Sequence, residues 1–189
     1  MNKNWELAVI LAVMLLAAVM PAATAAWQEK PMEKPAEKAA APKPGAAEMQ
    51  RLKFYLGEWN YTEDYSKGGR NSGVYTSKLG PGGNSLVNSF HSKGPVGDFE
   101  GLLVITWDLQ ENTYKQYLFV NDLPGCVVET GKFEGDVLVF RGELLVQGIR
   151  VGIRSATRSV SPERIESEAY SSIAGAPETL VVKVTATKK

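Results

Sequence analysis

The chain has 189 residues, 44% hydrophobic and 22% charged, the balance of a globular domain with room for one core. Lysine plus arginine and aspartate plus glutamate number 21 each, so no net field draws the chain to nucleic acid or an anionic membrane surface. Cys126 is the only cysteine, which excludes a disulfide within the chain.

The N-terminal stretch "MNKNWELAVILAVMLLAAVMPAATAAW" has Lys3, an apolar run from Leu7 to Met20, Pro21, and small residues through Ala26. That order predicts a secretory signal peptide over residues 1–25, with Ala23-Thr24-Ala25 as the cleavage signal and a periplasmic or secreted destination. The alternative is an uncleaved anchor, because Leu7 to Ala26 is long enough to span a bilayer and Trp5 and Trp27 flank it. Membrane contact is expected only in that form. No cysteine follows the apolar run, so a lipid attachment site is absent from its end.

Residues 26–47 repeat lysine, proline, alanine and glutamate with few large apolar side chains. Such a segment buries too little surface to offset its ordering entropy and reads as a linker. A domain is then expected over residues 48–189. Met49, Leu52, Tyr55 and Leu56 fall on one face of a short helix, and Gly57 supplies its terminator. After Gly57 the period changes to two, with Trp59, Tyr61 and Tyr65 on one parity.

Ten strands are expected downstream, approximately 59–66, 72–79, 85–91, 99–108, 113–121, 126–133, 137–146, 149–160, 164–171 and 179–187. Their links are short and rich in glycine, proline, asparagine and aspartate, which suits antiparallel neighbours and leaves no room for crossover helices. An open meander of this length exposes two edges, and closure into an up-and-down barrel removes them. The fold class is therefore all-β: a ten-stranded antiparallel barrel with a short N-terminal helix.

Alternation assigns faces on several strands. Val151, Ile153, Ser155 and Thr157 oppose Arg150, Arg154 and Arg158, which are expected to point outward; Leu180, Val182, Val184 and Ala186 oppose Val181, Lys183 and Thr185. "FEGLLVITWD" is apolar on both parities, so the strand is expected to be central or covered on its outer face. Arg141 and Glu143 share a parity with Val137 and Val139 and read as polar groups facing a cavity. Cys126 opens an apolar strand and reads as a buried thiol.

Gly57-Glu58-Trp59 after a helix resembles the entrance of lipocalin-like barrels, in which the tryptophan closes the base of the cavity. The segments "LKFYLGEWNYT", "GPGGNSLVNSFHS", "FEGLLVITWDLQENTYKQYLF", "ETGKFEGDVLVFRGEL" and "VVKVTATKK" resemble, in order, the bacterial DUF 1579 family over nearly all of Glu48 to Lys189. The anchors are Leu56-Gly57-Glu58-Trp59, Gly82-Gly83, Phe99-Glu100-Gly101, Trp107-Asp108 and Thr187-Lys188-Lys189. The resemblance implies a ten-stranded barrel akin to fatty-acid-binding and nitrobindin-type barrels, and carries no established activity.

Chemistry is sparse. His91 is the only histidine, and no metal-ligand spacing surrounds it, so neither a metal nor another cofactor is expected. Nitrobindin-type barrels hold haem through a histidine on a late strand, and the late strands here have none. "LGPGGN" lacks the lysine-bearing helix of a phosphate loop and reads as a hairpin. The expected function is non-covalent binding of a small hydrophobic or amphipathic ligand, with Trp59, Tyr61, Phe99, Leu103, Trp107 and Arg141 lining or closing the pocket. Alternatives are an envelope protein-interaction or structural domain, and an isomerase or hydrolase using His91, Asp98 or Glu100 at the barrel mouth.

Overall fold

The period-two pattern becomes strand wherever the sequence carries it. A computed structural model describes residues 43–189, so the expected signal peptide and most of the linker lie outside the described residues. Helix α1 spans Ala46–Arg51 and tightens into a 3-10 turn over Leu52–Tyr55. The helix thus begins two residues before Glu48, with Gly45 turning the chain at φ 78°. Gly57, at φ 116°, ends the helical segment and is also the first strand residue.

Ten strands follow: β1 Gly57–Tyr65, β2 Arg70–Leu79, β3 Ser85–Gly94, β4 Gly97–Asp108, β5 Thr113–Val120, β6 Leu123–Glu134, β7 Val137–Val146, β8 Ile149–Ser161, β9 Arg164–Ile173 and β10 Thr179–Lys188. Each pairs antiparallel with its sequence neighbours, and β1 pairs with β10 to close the barrel. The closing seam runs from Trp59↔Lys188 to Tyr65↔Val182. Every strand edge is therefore paired. Among the described residues no helix is long and apolar enough to cross a membrane.

Closure fixes which residues face inward. From the seam, Trp59, Tyr61 and Glu63 share the inner face with Val184 and Ala186. Pair by pair the same face continues through Tyr75, Phe90 and Leu103 to Leu118 and Val127, then through Glu129 to Leu138 and Phe140. On β8 it carries Ser155 and Thr157, with Arg150, Arg154 and Arg158 outside as expected. A bulge between Leu180 and Val182 breaks the alternation expected for β10.

Three expected placements are corrected by this parity. Arg141 pairs with Arg154 and Thr130 on the outer face and bonds Glu134 at 2.9 Å; Glu143 likewise meets Arg150 at 2.7 Å outside the barrel. Cys126 is exposed, because it lies on the parity opposite buried Val127. Of the two readings of β4 the central one holds, since it pairs with β3 and β5 on its two edges. Its outer face is uncovered among the described residues, with Leu102 and its partner Phe119 both exposed.

Helix α1 and its 3-10 turn cap one end. Met49 and Leu52 pack on Leu86, Ile105, Leu138 and Phe140, and the Tyr114 hydroxyl donates to the Glu48 carbonyl at 2.8 Å. Trp59 is fully buried and donates Nε1 to the Tyr55 carbonyl at 2.9 Å, while its ring stacks on Tyr75. Trp59 thereby joins helix to barrel floor.

Space on the inner face is tight at this end. A Cβ on Gly131 would sit 2.4 Å from the Phe140 ring and 2.6 Å from the Val139 carbonyl oxygen. Because one obstacle is backbone, relief requires strand movement. Gly131→Ala is expected to destabilise the barrel by about 1–3 kcal/mol, read by urea unfolding; unchanged stability would show that this layer is loosely packed.

Candidate functional site

Beyond the floor, the ten-stranded wall encloses more volume than its inward side chains fill, and a cavity of about 300 Å³ remains. That is the lower end of the range for ligand pockets. Phe90, Leu103, Leu118, Ile165 and Val184 form its apolar wall. Tyr55, Tyr61 and Tyr75 contribute phenols, while Glu63, Asn88, Gln116, Ser155, Thr157 and Ser167 contribute polar groups.

Several of these polar groups satisfy one another. The Ser92 hydroxyl donates to Glu63 Oε2 at 2.8 Å, and the Tyr65 hydroxyl donates to the same oxygen at 3.2 Å. Thr157 and Ser167 share a hydroxyl hydrogen bond of 2.7 Å. Behind the lining, Gln116 Nε2 donates to Glu129 Oε2. Others are left over: the Tyr61 hydroxyl and Asn88 Oδ1 are buried without a protein partner. Each such group costs roughly 1–3 kcal/mol when unpaired, so a ligand that pairs with them recovers that cost.

Burial sets the ionisation of the site. Desolvation pushes the Tyr55 and Tyr61 hydroxyls up to about 12 and raises Tyr75 further, so all three phenols remain neutral at physiological pH. Glu129 is 5% exposed. Its burial raises the carboxyl above the usual glutamate range, and the hydrogen bond from Gln116 opposes this only in part.

The six residues expected to form the pocket scatter. Tyr61 and Leu103 line the cavity. Trp59 lies in the floor, stacked on Tyr75, and Phe99 faces inward near the β3–β4 turn, its ring against Gly97. Trp107 packs edge-on to Tyr114 and against Gly45, beneath the helix. Arg141 is on the outer surface. The missed contributors include Glu63, Gln116 and Glu129. Glu63 stands between Tyr61 and Tyr65 on the aromatic parity of β1, so alternation alone could have placed it inside.

The structure does bring His91 and Asp98 together, Nε2 to Oδ1 at 2.7 Å. Both side chains are about half exposed on the outer wall, and neither lines the lumen. A larger groove of 490 Å³ also lies outside, across β8, β9 and β10. Its charges are mutually paired, Arg158 to Glu166 at 2.7 Å and Lys183 to Glu168 at 3.0 Å, leaving no obvious demand for a ligand. Among the described residues no cluster of three or more histidine, cysteine or acidic side chains could hold a metal ion.

The sequence matches no family model and no curated protein. Solved structures do match by fold. One is the crystal structure of Rv2717c from M. tuberculosis, at 12% identity and TM-score 0.54, covering 75% of this chain and 96% of that one. Another is the S-type phycobiliprotein lyase CPES from Guillardia theta, at 10% identity and TM-score 0.51, covering 78% of this chain and 98% of that one. At these identities the likeness establishes the barrel fold.

The raised Glu129 carboxyl has a consequence for stability. The native state keeps this proton over a range in which the unfolded chain has lost it, so stability declines as pH rises from the usual glutamate range through the folded value. Glu129→Gln removes the loss while keeping an acceptor for Gln116. Thermal melting should show the variant gaining on the parent at pH 7 and not at pH 4; an identical difference at both would mean the carboxyl is not perturbed by folding.

Proposed function

We propose that this chain is an exported, lipocalin-like member of the DUF 1579 group that binds one small, largely apolar ligand non-covalently in its barrel. The observation that carries the reading is the cavity of about 300 Å³ whose aromatic wall includes two buried, unpartnered polar atoms, the Tyr61 hydroxyl and Asn88 Oδ1. A barrel evolved only for packing has no reason to keep both the space and the unpaired groups, since each lowers stability. The aromatic and aliphatic wall supplies affinity through burial of apolar ligand surface, and the polar atoms set orientation.

The phycobiliprotein lyase gives a precedent for a functional protein on this fold. The signal-peptide pattern at residues 1–25 supports delivery outside the cytoplasm.

The reading is tested by filling the cavity. Ala169 lines it on β9, and Ala169→Phe places a ring in the space. Titration of the full chain with a neutral, environment-sensitive naphthalene fluorophore should show saturable binding that the variant weakens by roughly tenfold or more, while circular dichroism confirms the fold. Equal binding by a folded variant would move the site out of the lumen.

A further inference from the structure

The charges around the lumen are one-sided. Glu63 lines the cavity, and Glu129 lies behind Gln116, while no lysine or arginine lines it among the described residues. Basic side chains on the surrounding strands face outward and have acidic partners there: Arg70 with Asp64, Lys93 with Asp98, Arg154 with Glu178, and Lys183 with Glu168. At the capped end, Arg51 lies over the Phe133 ring and Lys188 lies 5.5 Å from the Trp59 ring.

Resting on the lumen as the binding site, we infer that its ligand is a small cationic amphiphile, an aromatic or alicyclic body bearing a protonated amine, and not a fatty acid or other carboxylate. Three features converge on that class. Glu63 Oε2 is held in place by Ser92 and Tyr65, which presents the carboxylate as a fixed acceptor at the cavity wall. Asn88 Oδ1, on a residue 9% exposed, is an unpartnered acceptor on the same wall and calls for a donor. Tyr55, Tyr61 and Tyr75 line the cavity as neutral phenols, an aromatic surrounding that favours a cation over an anion.

An ammonium group meets all three, since it brings three donors and no acceptor. A carboxylate ligand would give up its hydration for a site that holds the Glu63 carboxylate and no balancing cation. The apolar body would occupy the space between Phe90, Leu103, Leu118 and Ile165.

The test uses three probes that share a naphthalene body: 1-naphthylmethylamine, 1-naphthalenemethanol and 1-naphthoic acid, titrated into the full chain at pH 7 by calorimetry. The amine should bind roughly tenfold or more tighter than the alcohol, with the acid weakest. Glu63→Gln should remove the amine's advantage and leave alcohol binding intact. Glu63→Asp, which draws the carboxylate back from Ser92 and Tyr65, is a second variant and should narrow the same gap if Glu63→Gln does not fold.

Acid binding as tightly as the amine, or an amine preference unchanged in folded Glu63→Gln, overturns the inference while leaving the lumen as the site. Failure of all three probes to bind, or binding that Ala169→Phe does not weaken, overturns the lumen reading itself.

Discussion

Pairing of β1 with β10 is the interaction on which the rest of the molecule depends. It removes both edges of a ten-stranded meander, and it commits every residue of every strand to one face. From the single seam at Tyr61↔Ala186, parity propagates around the wall, placing Glu63 and Glu129 inside and Arg141 and Arg154 outside. The electrostatic character of the lumen is thus a consequence of register.

Closure also explains why one end is solid and the next layer is hollow. Ten strands enclose a cross-section wider than their inward side chains can fill. At the capped end α1 and the 3-10 turn after it supply Met49 and Leu52 to complete the packing against Leu86, Leu138 and Phe140. Above Trp59 no further element enters among the described residues, and small inward residues such as Ala169, Ser155 and Ser167 leave the space open. Packing therefore ends where the candidate site begins.

Much of the fold was legible in the sequence because its connections are local. Turn residues between short alternating runs mark hairpins, and consecutive hairpins leave little topological choice; β7 and the starts of β3, β5, β8, β9 and β10 fall where the pattern puts them. Face assignment succeeded on β8, where arginines mark one parity, and failed on β7, where Val137, Leu138, Val139 and Phe140 are apolar on both. Without an internal contrast, only the cross-strand partners Phe133↔Leu138 and Gly131↔Phe140 decide which residues enter the core. The same ambiguity misplaced Arg141 and Glu143. The lumen residues were harder to find because asparagine, glutamine and glutamate inside a barrel look like solvent-facing positions until register is known.

The central claim is that the space above Trp59 holds a ligand. Native mass spectrometry of the full chain recovered from its own source, followed by denaturation to release bound compounds, tests it most directly. The account predicts a reproducible small-molecule adduct that is lost in Ala169→Phe. A bare mass for the parent protein, together with no uptake of any of the naphthalene probes, would contradict it.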